Sequence, residues 1–298
     1  MELSDYLGYF REKGQVKIDF HNHCQTGSRL RKKPETFGEK VESIFFGEGF
    51  YNLGQLVKKV MDSDLDVLYI TNFEDSRYED WTSDKQIGGL GEGYEVARGK
   101  YYVFIKNKSG RVIALGKSQE VPTREGHLLY SGVEHGKRFK AGKSLEEYCR
   151  EEDGELKTAD HAYGFEGILR KNKNYAEKVD ALERNGNFYF PLSFSNIRAY
   201  LSSKKHKKPL IANSDGHHPK DIGGTCNIFE SSDLKYENER EFRDSINNAV
   251  RENKFKARFS IIPPWRILHH AFMIGLYMIK EMFSRSRKKL KGTFFTHV

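Results

Sequence analysis

Two histidines, His21 and His23, stand at i and i+2 at the end of Val16 to Phe20, a short run rich in branched and aromatic residues. Such a run reads as a β-strand, and alternate side chains on a strand share a face. His21 and His23 therefore point the same way and can grip one metal ion through their ring nitrogens. Asp19 falls on that face one layer deeper, where its carboxylate can accept the second ring N–H of a ligating histidine. Taken alone, this spacing fits two ordinary polar residues as well as it fits a metal site. The pattern recurs, however. Asp215 and His217 are again i, i+2, after the strand-like run Pro209 to Ala212. Asp160-His161 follows Leu156 to Ala159, and Glu120 with His127 precedes the strand-like run Leu128 to Val133. Ligand-type residues thus recur at four strand ends, and in α/β barrels strand ends are where sites are built.

The elements that must position these groups follow from periodicity. Met1 to Glu12 reads as a helix. Leu53 to Asp62 is helical in period and Val67 to Thr71 is a buried-type strand, which completes one β-helix-β unit. Tyr78 to Lys100 is Gly-rich and reads as an irregular flap. Its Gly89-x-Gly91-x-Gly93 lacks the strand before and helix after that a phosphate loop needs. Tyr101 to Ile105 and Val112 to Leu115 flank Lys108-Ser109-Gly110 and read as a hairpin. Helices are expected near Ser144 to Glu152, Tyr175 to Val179, Ile197 to Ser203 and Glu239 to Asn253. Strands alternating with helices imply a mainly parallel sheet, open or closed into a barrel.

The chain has 298 residues, 37% of them hydrophobic and 31% charged, enough for one large α/β domain with a sizeable core or for two smaller ones. A formal net charge of +8 and a pI near 9.1 suit an anionic partner: a phosphate ester, a nucleic acid or an acidic membrane surface. Three scattered cysteines, Cys24, Cys149 and Cys226, argue against a disulfide framework and for a reducing compartment. Cys24 adjoins His23 but faces the other side of the strand, so it reads as packing. Met1 to Gly14 has no apolar core run and does not read as a signal peptide. The apolar run Ala271 to Ile279 is shorter than the ~18 residues of a membrane span. The expected location is cytoplasmic or membrane-peripheral.

Four stretches, Asp19-Phe20-His21-Asn22-His23, Gln119 to Leu129, Ala159-Asp160-His161 and Asn213-Ser214-Asp215-Gly216-His217, occur in the order of the motifs of a known family. Together they resemble the PHP family, the polymerase and histidinol phosphatase group of metal-dependent phosphoesterases, over roughly residues 16 to 230. The resemblance implies a distorted (β/α)7 TIM-like barrel of the PHP type, an α/β fold with its site at the strands' C-terminal ends. On that reading, residues 1–15 form an N-terminal helix and 16–262 the barrel, with a hairpin and flap inserted. Residues 263–298 form a hydrophobic and basic helical tail.

The resemblance also implies roles. His21, His23 and Asp215 would hold one metal ion, His127 and His161 a second, and Glu120 would bridge the two. His217 would belong to a third site that many members possess. This chain departs from the pattern at that third site. Thr71-Asn72-Phe73 stands where the family has Thr-Asp-His, and Gln25 to Leu30 lacks the acidic or histidine ligand usual after His-x-His. The third site is therefore expected to be absent, leaving His217 for substrate or a water. Gly132-Val133-Glu134-His135 also resembles the family's Gly-Val-Glu. Glu120 is preferred, because the stretch around it supplies a carboxylate and a histidine together.

Nitrogen and carboxylate donors without thiolate suit Zn, Mn or Fe. Two divalent ions about 4 Å apart would generate a metal-bound hydroxide and clamp phosphoryl oxygens. Glu120 and Asp215 would act in catalysis through those ions, with His217 or water protonating the leaving group. The expected activity is hydrolysis of a phosphoester: a small phosphomonoester, a nucleotide or a nucleic-acid end. Arg29 and Arg31, in the basic stretch after the first strand, are candidates to meet the substrate phosphate. A nuclease is the next reading, and a degenerate member that binds metal or phosphate for regulation is the third. Beyond Pro263-Pro264, a helix from Trp265 to about Arg285 with a basic end reads equally as packed against the barrel or as a peripheral membrane or protein contact.

Overall fold

In the computed structural model, residues 2–24, 52–73, 76–151, 154–164, 167–186, 193–216 and 221–260 are described. Arg29, Arg31, His217 and the tail 263–298, with its expected helix, lie outside them.

Helices form where apolar residues recur at helical spacing behind a capping residue. Helix α1 (Leu3–Glu12) buries Tyr6, Leu7 and Phe10. Helix α2 (Leu53–Asp62) buries Leu53, Leu56, Val57, Val60 and Met61, and the Asn52 side chain caps it by accepting from the Gln55 amide at 3.0 Å. Strand β1 (Gln15–Asn22) precedes α2, and β2 (Val67–Asn72) follows it as a strand buried along its whole length, as expected where both faces of a parallel strand are covered.

The Gly-rich segment that the sequence suggests as a loose flap is anchored. It holds two short helices, α3 (Arg77–Trp81) and α4 (Asp84–Gly88), and a strand, β3 (Tyr94–Arg98). Trp81 and Tyr78 are buried, and β3 pairs antiparallel with β4 (Tyr102–Asn107). The expected hairpin is present as β4 and β5 (Val112–Pro122), turning through Gly110 at φ 84°. Then come β6 (His127–Ser131), α5 (Leu145–Arg150), β7 (Leu156–Ala159), α6 (Ile168–Lys171) and a 3-10 turn (Lys173–Lys178). Strand β8 (Ala181–Asn185), α7 (Ser193–His206), β9 (Leu210–Asn213), β10 (Cys226–Glu230), α8 (Glu239–Arg251) and β11 (Lys256–Arg258) complete the described chain.

The sheet runs β11-β10-β1-β2-β5-β6-β7-β8-β9, with β4 and β3 branching from β5. Pairings β1/β2, β2/β5, β7/β8 and β8/β9 are parallel, whereas β5/β6 and β6/β7 are antiparallel. From β1 to β9 the wall is thus mainly parallel, with β6 reversed because only Thr123 to Gly126 separates it from β5. Two ends of the wall meet. The Asp215 amide donates to the His21 carbonyl and the His23 amide to the Gly216 carbonyl, both at 2.9 Å. Deeper in the seam the Asn227 side chain, from β10, bonds both the amide and the carbonyl of Ala212 at 2.8 Å. The result is a nearly closed, barrel-like α/β sheet. No helix intervenes between β5 and β6, so the wall is not a regular alternation of strand and helix. Among the described residues, no helix is long and apolar enough to cross a membrane.

The edge strand β11 is held by a charge cluster. Asp64 takes both Arg258 guanidinium nitrogens, at 2.6 and 2.7 Å, and the Lys17 ammonium at 2.6 Å. The bidentate bond from Arg258 holds the Asp64 carboxyl well below the usual carboxylate range. A carboxylate depressed in the folded state stabilises it above its unfolded pKa of about 4, and loses that contribution as pH falls. Asp64→Asn should cost about 0.5–1 kcal/mol at neutral pH, a modest amount for a half-exposed cluster. In urea titrations the gap from the unsubstituted chain should close below about pH 4. A gap of constant size from pH 7 to pH 3 would rule this account out.

Candidate metal centre

Strand geometry brings the sequence-suggested residues to one rim of the wall. His21 and His23 leave the end of β1, and Glu120 lies near the end of β5. Asp160 and His161 follow β7, and Asp215 follows β9. Reversal of β6 places His127 at its start, on the same rim. In the β5/β6 register Pro122 faces His127 and Glu120 faces Leu129. Glu120 and His127 are therefore diagonal neighbours on one face.

Four donor atoms converge beside β1. His21 Nε2 and His23 Nε2 are 3.1 Å apart. Glu120 Oε2 lies 3.2 Å from His23 Nε2 and 3.8 Å from His21 Nε2, and Asp215 Oδ1 lies 3.5 and 3.6 Å from His21 and His23. A tetrahedral ion with ligands at 2.0–2.1 Å has donor-to-donor edges of about 3.3–3.4 Å, close to the distances from the two histidines to Glu120 and Asp215, and His21, His23 and Glu120 form the mutually close set. The imidazole tautomers point the same way. His23 Nδ1 is 3.2 Å from the Thr71 carbonyl, and His21 Nδ1 is 2.9 Å from Glu183 Oε1. Both partners accept, so both protons belong on Nδ1 and both Nε2 lone pairs face each other and two carboxylate oxygens. Such a set repels itself unless a cation sits among them.

The other oxygen of Glu120 serves a second group. Glu120 Oε1 bonds His127 Nδ1 and lies 3.4 Å from His161 Nε2, which is 3.2 Å from Asp160 Oδ2. Glu120, His127, Asp160 and His161 offer atoms close enough to share an ion, as do His21, His23 and Glu120. Glu120 thus presents one oxygen to each cluster.

Charge in this site is buried, with imidazoles beside the carboxylates. Glu120, Asp160 and Glu183 are 2, 0 and 1% exposed, and among the described residues their ion-pair partners are all histidines. Burial opposes ionisation of Glu120, but the surrounding imidazoles of His127, His161, His21 and His23 hold its pKa well below the usual range. Burial disfavours charge on His161, yet Asp160 and Glu120 push its pKa up to about 10. His21 is likewise raised, burial being outweighed by Asp160, Glu183 and Asp215. Asp160 moves the other way for a carboxylate, raised by burial, and neither of its oxygens has a well-formed hydrogen bond. Without a cation the cluster draws protons, and a bound cation would take their place.

One expectation needs correction. Asp19 does not hold the His21 ring: its oxygens accept from the Ser214 hydroxyl at 2.5 Å and the Ser214 amide at 3.1 Å. A bulge between Asp19 and Asn22 breaks the strict alternation that would have aligned them. Burial raises its pKa to about 6. The residue that orients His21 is Glu183, on β8, a strand whose composition is that of a helix. Glu183 also accepts from Asn213 Nδ2 and the His161 amide, both at 2.9 Å. Burial works against its charge, but His21 holds its pKa down at about 2. Asn185, next on β8, donates to Asp215 Oδ2 at 2.7 Å. Phe73 stacks on His23 with ring centroids 4.4 Å apart, where the resembled family has a histidine ligand. Cys24 packs away from the donors, as expected. Glu134, the alternative bridging carboxylate, is partly exposed and paired with Lys100 at 3.0 Å.

No family model and no curated protein matches the chain. Among solved structures, the crystal structure of PsfC from Pseudomonas syringae PB-5123 is similar, with a TM-score of 0.55 and 12% identity over 88% of this chain and 99% of that one. This likeness shows the fold alone.

Glu183→Gln keeps the shape but removes the charge behind His21. Zn or Mn affinity, read by competition with a chelating dye, should fall by roughly 10- to 100-fold while circular dichroism is unchanged. Undiminished affinity would exclude Glu183 from supporting the centre.

Proposed function

We propose that the chain is a metal-dependent phosphoesterase with two divalent ions sharing Glu120, in a distorted (β/α)7 barrel of the PHP type. The reading rests chiefly on one observation. Two imidazoles whose tautomers are set by Thr71 and Glu183 aim their lone pairs at each other, while Glu120 gives its second oxygen to another pair of histidines. The donor set is nitrogen and carboxylate, which suits Zn, Mn or Fe. Phe73 stacks on His23 where the family resemblance would put a third-site histidine, which supports two ions over three.

Ions in these clusters would supply Lewis acidity and an ionised water at neutral pH. The protein's own groups do the rest. Glu120 fixes the spacing of the two clusters, Asn185 holds the Asp215 carboxylate in place, and Glu183 fixes the His21 ring. His127 and His161, at 14 and 12% side-chain exposure, form the solvent side of the centre. A groove of about 580 Å³ adjoins His127, with Arg170 and Lys171 among its lining residues. Cations there would hold phosphate charge while the centre is reached from solvent. Phosphorylated small molecules or nucleotides fit such a groove. His217 and the basic stretch with Arg29 and Arg31 belong to the proposal through the family resemblance.

The test is metal analysis of the purified chain, then a panel of phosphomonoesters, phosphodiesters, nucleotides and single-stranded DNA with Mn or Zn added back. Hydrolysis should need metal, and His161→Ala should lower kcat/KM by at least about a hundredfold, since even supporting residues are worth that much. Full activity in that variant with normal metal content would refute the two-ion site. Turnover of DNA without mononucleotides would favour a nuclease. Tight metal binding without any turnover would favour a regulatory binder.

A further inference from the structure

Helix α7 is inside out. Among the described residues, the large apolar side chains that stand exposed are Phe194, Ile197, Tyr200 and Leu201, at 57, 52, 50 and 60%. All four are on α7, and their spacing puts them on one face. The face turned inward carries Asn196, Ala199, Ser202 and Ser203, all small or polar. A helix packed on a sheet has the opposite arrangement, and exposed apolar patches of this kind mark contact surfaces.

Charge selects the occupant. Ser193 to His206 contains no acidic residue, and Arg198, Lys204 and Lys205 are exposed on or beside the apolar stripe, with Lys207 just beyond. The Lys204 ammonium lies 5.6 Å from the Tyr200 ring centre, at the edge of the stripe. Two copies meeting through this face would bring like charges together. A helix with aliphatic and aromatic side chains outward and lysines at its end fits a fluid anionic surface. The sequence holds a second stretch of the same composition, Ala271 to Ile279 followed by Arg285 to Lys289. Stable peripheral attachment generally needs two such signals.

We infer that the outer face of α7 is a docking surface for an anionic lipid bilayer. Ile197 and Leu201 enter the headgroup region while Lys204 and Lys205 meet lipid phosphates.

The full-length chain is mixed with vesicles of phosphatidylcholine alone, or with about 30% phosphatidylserine, in about 0.1 M salt, and sedimented. It should bind only the anionic vesicles. Ile197→Ser with Leu201→Ser, and separately Lys204→Glu with Lys205→Glu, should each lower partitioning by roughly tenfold or more with unchanged thermal melting. The second pair leaves the apolar groups intact, so the inference stays testable even if the first pair disturbs folding. Absence of binding, or equal binding by both variants, would overturn it. So would a dimer in light scattering that Ile197→Ser with Leu201→Ser dissolves, since the face would then belong to a second copy.

Discussion

Glu120 is the constraint on which the rest of the centre depends. A carboxylate buried to 2% exposure cannot stay charged on its own, and here each oxygen faces a different histidine pair. Serving both pairs demands that His21 and His23 arrive from one side and His127 and His161 from the other. Reversal of β6 meets that demand. A parallel strand after β5 would need a crossover and would bring its start to the opposite rim. The four-residue turn Thr123 to Gly126 instead returns the chain at once, with His127 diagonal to Glu120.

Holding so many like charges together requires a stiff frame. His161 and Asp215 adopt positive φ, 28° and 47°, which side chains with a Cβ seldom do and which costs about 1–3 kcal/mol at each position. Asp215 keeps that conformation because its amide is bound to the His21 carbonyl and Ser214 is fastened to Asp19. Gly216 lets β1 come close at the seam, since a Cβ there would lie 2.4 Å from the Asn22 side chain. Gly167 is under the same limit, its Cβ falling 2.4 Å from the His161 carbonyl. Barrel closure and ligand placement are thus the same set of contacts.

What could be read in the sequence was local. Helices α2 and α8 follow the helical period, the β4/β5 hairpin follows its turn residues, and the donors stand at strand ends where two-residue spacing shows. Long-range consequences were not legible. Ala181-Leu182-Glu183-Arg184-Asn185 is composed like a helix, so neither strand β8 nor Glu183 announced itself. Cys226 to Glu230 is short and carries Asn227, whose amide looks out of place in a strand until it is seen to stand in for a missing backbone partner at the seam. The bulge in β1 moved Asp19 to a different partner, and alternation gives no sign of a bulge.

Helix α7 joins the two features. Asn196 uses its amide to bond both the N–H and the carbonyl of Asn185, at 3.0 and 2.9 Å, and the Asn185 side chain in turn holds Asp215. That inward task calls for an amide and small neighbours, because bulk at Ala199 or Ser202 would lift the helix off β8. Large apolar residues are therefore excluded from the inner face, but nothing in the inner packing requires them outside. Their presence on the outer face needs its own cause, and a surface that solvates both apolar groups and lysines supplies one.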